Sequence, residues 1–147
     1  STKNSKRMNR EIKFRAWITY YEDVEKQVML TADRLAFDQY DLLVNQLQNR
    51  DAFIPMQFTG FIDKYGKEIY EGDIVRESII DHMEEEGWFW SYSVVEFEMG
   101  CWILKEIGYD YSNYESLMDH IHLYDSTDVI EVCGNVFENP ELLSSNP

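Results

Sequence analysis

His120-Ile121-His122 is the metal-like spacing in this sequence. On a strand, residues two apart share a face, so both imidazoles would meet one zinc ion, with Asp119, Asp125 or His82 completing the set. A zinc site needs at least three converging ligands, and the spacing fixes two. On a helix the pair diverges. Two surface or hydrogen-bonded histidines are therefore expected, with no bound metal and no cofactor. Glu84-Glu85-Glu86 is a contiguous acid run, whereas hard-cation sites want spaced carboxylates and a turning glycine. It reads as solvated charge. Asp63, Glu68, Glu71 and Asp73 offer carboxylates for acid–base work, yet Asp63 and Asp73 are explained by turns that need acceptors. The serines lack a His and Asp arrangement or a Gly-x-Ser-x-Gly elbow, and no glycine loop suits a phosphate. No catalytic residue is expected, and the chain does not read as an enzyme.

Aromatic residues are the stronger signal. Trp88, Phe89, Trp90 and Tyr92 are adjacent or nearly so. On a strand Trp88, Trp90 and Tyr92 fall on one face, and Phe89 and Ser91 on the other. A small barrel cannot bury all of them. Trp and Tyr dominate interface hot spots, so Trp88, Trp90 and Tyr92 are candidate interface residues. A stacking platform for single-stranded nucleic acid fits poorly, because the surrounding charge is wrong.

That charge is the most unusual bulk property: −15 over 147 residues. Residues 1 to 15 hold six of the thirteen basic side chains (Lys3, Lys6, Arg7, Arg10, Lys13, Arg15) against the single acid Glu11. Residues 77 to 147 hold sixteen acids and one base, Lys105. Nucleic-acid binding depends on neutralising phosphates with Lys and Arg, so direct DNA or RNA binding is not expected. A basic start and an acidic end suggest a contact between copies, with Arg10, Lys13 and Arg15 of one chain against the acidic half of another. Apolar content of 44% is ample for one core. No apolar run approaches the roughly 20 residues that span a bilayer, and no signal-peptide pattern opens the chain. Cytoplasmic residence follows as the expectation, with Cys101 and Cys133 as buried, reduced thiols.

These residues must be positioned by strands. Residues 1 to 9 are basic and without periodicity, and are expected to form a mobile tail. Met8 is a candidate start, with the preceding residues an extension. Residues 10 to 147 form one domain. Ile12, Phe14, Ala16 and Ile18 alternate with polar or larger residues, predicting a strand with one core face. Glu22-Asp23 suits a hairpin connection, and Lys26 to Leu30 the return strand. Leu35, Leu42, Leu43 and Leu47 suit a helical face, and Asp38 a cap for a helix from Gln39 to about Gln48.

The stretch from Met56 to Arg76 organises the rest. It reads as a strand, a tight polar connection and a second strand, with Thr59, Gly60, Asp63, Gly66, Gly72 and Asp73 as its fold-determining turn residues. The second strand continues to about Ile80, and residues 81 to 87 form an acidic loop. Trp88 to Glu98 and Cys101 to Lys105 make a hairpin turning at Met99-Gly100. Residues 107 to 125 are irregular. Asp128 to Phe137 is a strand bent at Gly134-Asn135, and Asn139 caps a last turn opened by Pro140. Five or six strands with glycine-bearing turns predict a mostly-β fold: a small, strongly bent barrel or sandwich with short appended helices.

Three segments together resemble a known family. Gln57-Phe58-Thr59-Gly60 with Asp63 and Gly66 through Val75 is similar to the signature of the YopX-like proteins of bacteriophages and prophages. Arg10 to Trp17 resembles that family's opening strand, and Val132 to Leu143 its closing segment. Cys133 and Val136 stand where the family carries bulkier aliphatics, and Phe61-Ile62 where it carries a more polar pair. The resemblance implies a small, mostly-β domain with helical additions and brings no assigned activity. The expectation for function is a phage accessory protein that acts through protein contacts and self-associates. The alternative is an acidic mimic of nucleic acid that inhibits a host nucleic-acid-binding or defence enzyme. The partner is a protein, a second copy or a host protein; neither nucleic acid nor membrane is a direct partner.

Overall fold

A computed structural model describes residues 11–20, 23–31, 33–34, 53–81, 87–108 and 121–144. The basic tail, the predicted helix at 39 to 48, Arg10, the glutamate run at 84 to 86 and His120 lie outside the described residues. The strands are β1 (Phe14–Tyr20), β2 (Asp23–Leu30), β3 (Phe53–Ile62), β4 (Glu68–Tyr70), β5 (Asp73–Asp81), β6 (Gly87–Glu98), β7 (Cys101–Glu106), β8 (Ile121–His122) and β9 (Glu131–Asn135). Two antiparallel sheets, one of them curled strongly into a half-barrel, make a mostly-β fold. Their strand orders are β2-β1-β3-β4 and β8-β7-β6-β5-β9. The appended helices reduce, among the described residues, to 3-10 turns at Leu123–Asp125 and Pro140–Leu143 and a short helical stretch at 33–34.

Alternation on β1 fixes its inward face only in part. Ala16 and Ile18 are fully buried with Leu30, but Phe14 is half-exposed and Ile12, 66% exposed, precedes the strand. The cause is pairing: β2 joins β1 from Ala16 onwards, so the first residues have β3 alone beside them. The opposite face is not idle either, because Trp17 stacks on Phe137 at 5.5 Å. The larger core comprises Ile69, Val75, Val95, Leu104, Leu123 and Ile130.

The central stretch holds two turns and a bulge. Between Phe58↔Tyr70 and Ile62↔Glu68 the β3–β4 register shifts. The Thr59 hydroxyl fills that gap, donating to the Ile69 carbonyl at 2.8 Å and accepting the Phe61 N–H. Gly66 sits at φ +83° in the Asp63–Gly66 turn, with open space where a Cβ would go. Its requirement is therefore conformational, not steric. Gly66→Val should cost about 1 kcal/mol or more, because a β-branched residue is strained in that backbone region. A urea titration that leaves the midpoint unchanged would show that the turn tolerates the side chain. Gly72 joins the sheets: its N–H donates to the Val95 carbonyl and its own carbonyl accepts the Val136 N–H.

The β6–β7 hairpin turns at Met99 and Gly100, both with positive φ, as a two-residue connection between right-twisted strands requires. The predicted strand at 128 to 137 is shorter, Glu131–Asn135, with a register shift opposite Ile74 and Val75 that makes Cys133-Gly134 the bulge. The Asn135 carboxamide oxygen ends it by accepting the N–H groups of Phe137 and Glu138. Asn139 does hold the N-cap position ahead of Pro140, but its side chain makes no capping bond to the last turn. Its side-chain oxygen instead accepts the Asn135 N–H.

β5 and β6 reach further than their neighbours. They pair with each other from Ile74↔Val94 to Asp81↔Gly87, while β9 accompanies β5 only to Arg76 and β7 accompanies β6 only from Ser93. Residues 77–81 and 87–91 thus form a two-stranded arm beyond the sheet, flanked by no other described strand.

Candidate functional site

Among the described residues, two places gather side chains with chemical character: a cleft between the sheets and the arm. The cleft, about 870 Å³, is lined by β1, β4 and the β9 bulge, with Lys13, Arg15, Glu68, Tyr70 and Asp73 at its centre. Arg15 Nη2 donates to Asp73 Oδ1 at 2.6 Å, and the guanidinium lies 4.7 Å from the Tyr70 ring. The Asp73 carboxylate is 1% exposed and also accepts the Tyr70 N–H. Burial pushes its pKa up, offset only in part by Arg15 and that amide. Lys13 bridges Glu68 and Glu11 and covers the Phe58 ring at 4.6 Å. Its ion pair with Glu68 holds the lysine pKa above its usual value and that of Glu68 below. The Tyr70 hydroxyl donates to Glu68, and burial together with that carboxylate pushes the phenol up to about 12.

Lys13 and Arg15, read as an arm reaching a second copy, turn inward on the acids of their own chain. Sequence position alone suggested a basic segment; the fold brings Glu68 and Asp73 beside it, more than fifty residues downstream. Arg10 lies outside the described residues. Lys105, the lone base of the acidic half, is likewise held, by Glu96 at 2.9 Å and by Glu98.

Asp63, read as a turn residue, does more than close its turn. Its carboxylate is buried and accepts three backbone N–H groups, Tyr65 and Lys67 locally and Val132 of β9, each at 2.9 Å. Burial alone would raise its pKa, but those three donors outweigh it and hold the carboxyl below the usual range. The four carboxylates of this stretch are occupied by structure. Asp63 and Asp73 hold turns, Glu68 pairs with Lys13, and a Glu71 oxygen lies 3.5 Å from the Gln57 amide.

The remaining candidates separate. His122 is half-buried in β8, while His120 and His82 lie outside the described residues. Among the described residues no three His, Cys, Asp or Glu side chains converge. Cys101 and Cys133 are free and half-buried, and burial raises the Cys133 thiol, whose Sγ lies 3.3 Å from the Ile74 carbonyl. No helix among the described residues is long and apolar enough to cross a membrane.

The arm carries the aromatic run. Ile80 is 66%, Trp88 60% and Phe89 51% exposed. Trp88 and Trp90 meet edge to face at 5.6 Å, and Arg76 lies over the Trp90 ring at 4.2 Å. Glu131 fixes that guanidinium from β9 and raises its pKa further. Trp90 and Tyr92 are half-buried, so the three aromatics share a face but not an environment. Ile80, Arg76 and Glu131 were not apparent as members of this cluster. The signal was Ile79-Ile80 just before the acidic loop, which places apolar residues opposite Trp88 and Phe89 once the two strands pair.

Against known proteins, the family model described as YopX protein matches residues 13–144. The crystal structure of protein EF1440 from Enterococcus faecalis is similar in fold, with a TM-score of 0.50 and 21% identity over 91% of this chain and 99% of that one. No curated protein matches. The family match reaches from the residue before β1 to the last 3-10 turn, and includes the cleft, the central turns and the arm: the chain belongs to the YopX family.

Proposed function

We propose that this chain is a phage or prophage accessory protein of the host cytoplasm that works through protein contacts, without catalysis, and associates with itself. The arm carries this reading. A two-stranded ribbon alone is marginally stable in water, and this one exposes Ile80, Trp88 and Phe89 on its two faces. Large apolar side chains grouped at the surface mark contact sites, and Trp is the residue most enriched in binding hot spots. The cleft supports the same reading from the other side, since Lys13 is paired with Glu68 and Arg15 with Asp73.

Light scattering tests it. The wild-type chain should show a mass well above that of one copy, and an Ile80→Ser, Trp88→Ser variant should fall to one copy with unchanged circular dichroism. Wild-type protein that stays at the mass of one copy at every concentration overturns self-association. A second reading rests on sixteen acids against one base after Arg76: an inhibitor that fills the nucleic-acid site of a host enzyme. A single-copy chain that captures basic, nucleic-acid-binding host proteins would favour it.

A further inference from the structure

We infer that two copies of this chain join through the open edge of β6, strand against identical strand in antiparallel sense, with Phe89 at the two-fold centre. The inference rests on the self-association proposed above and names its site. The Tyr92 carbonyl faces the β7 side, where it accepts the Ile107 N–H at 2.8 Å. Main-chain groups alternate between the two edges of a strand, so the N–H and C=O of Trp88 and Trp90 aim the same way. β7 pairing ends at Ser93↔Glu106, and no other described strand lies beside the arm there. Among the described residues, both thus present a donor and an acceptor without a main-chain partner along an apolar edge, the pattern that recruits another strand.

Charge selects an identical strand as the occupant. Gly87 to Val95 carry no charged residue in a chain of net charge −15. A second copy is repelled by most of the acidic surface but not along this strand. The arm's other strand carries Glu77, a like charge that opposes pairing of two copies on that side. In the register that satisfies all four groups, Trp88 exchanges both hydrogen bonds with Trp90 of the partner subunit. Phe89 then stands opposite Phe89 of the partner subunit in a non-hydrogen-bonded pair, where side chains lie closest. One face of the joined sheet gains a row of indoles extending the Trp88–Trp90 contact. The other brings together the Phe89 rings, half-exposed in the single chain.

Cysteine cross-linking tests the register, in a Cys101→Ser, Cys133→Ser background. Phe89→Cys should oxidise to a disulfide-linked pair, because Cα atoms in a non-hydrogen-bonded pair lie within disulfide reach. Trp88→Cys or Trp90→Cys alone should not, whereas a mixture of those two should. In the wild-type protein, exchange of the Trp88 and Trp90 amides should slow as concentration rises, while the Phe89 amide, bonded to β5, does not respond. An assembly of several copies with no Phe89→Cys cross-link and with concentration-independent exchange at Trp88 and Trp90 overturns this pairing and leaves self-association through another surface. A chain that stays single at every concentration overturns both.

Discussion

Asp63→Ala should lower the unfolding free energy by about 3 kcal/mol or more, one of the largest effects of any single substitution in this chain. Each N–H that donates to the carboxylate is a main-chain group, and charge-assisted bonds of this type contribute about 1.5–3 kcal/mol each. Removing the buried acceptor takes the partner from the Tyr65, Lys67 and Val132 N–H groups at once, in part-buried bonds that join the turn to β9. Asp63→Asn should recover only part of the loss, since its amide NH₂ faces donors. The pH dependence has a definite sign. The folded carboxyl titrates below its unfolded counterpart, so its stabilisation is complete above the unfolded pKa of about 3.9 and is lost as pH falls through the folded value. Urea midpoints from pH 7 to 3 should fall more steeply for wild type than for Asp63→Asn. Parallel curves would show that the carboxylate is not the group that counts.

Arg15→Met should cost about 3–5 kcal/mol, because it strands a buried carboxylate without its partner. Asp73 behaves oppositely to Asp63. Its folded pKa lies above the usual value through burial, so its ionisation opposes folding as pH rises from the unfolded pKa through the folded one. Without Arg15 that upward shift grows. The loss from Arg15→Met should therefore be larger at pH 7 than near pH 4, where Asp73 takes up its proton. The double variant Arg15→Met, Asp73→Asn should regain much of the stability, since replacing both partners removes the unpaired charge. A loss that is the same at both pH values, or a double variant no better than the single one, would place the importance of Arg15 in its packing on Tyr70.

What the sequence disclosed was local. Alternation found β6 and β7, Met99-Gly100 marked their turn, and Asp63 with Gly66 marked the central connection, because each rests on backbone preferences within a few residues. The cross-sheet ties were not legible. Lys13–Glu68, Arg15–Asp73 and Asp63–Val132 join residues 55 to 69 apart, and charge patterning pointed to none of these partners. The bulge at Thr59 to Phe61 was hidden for another reason. It depends on a hydroxyl standing in for ladder bonds, and Thr is equally at home in a regular strand. The arm was hidden because its extent is set by where β7 and β9 stop, not by anything within β5 or β6.

The bond from Val132 to Asp63 also orders events during synthesis. The central turn carries a buried carboxylate whose third donor, 69 residues downstream, leaves the ribosome long after the turn itself. Until β9 arrives, β5 lacks its outer neighbour and Ile130 is missing from the larger core. Contacts so distant along the chain close slowly, and hairpins already formed must wait with their edges open. The nascent domain therefore cannot finish folding residue by residue as it emerges; it closes late, when its last strand is delivered.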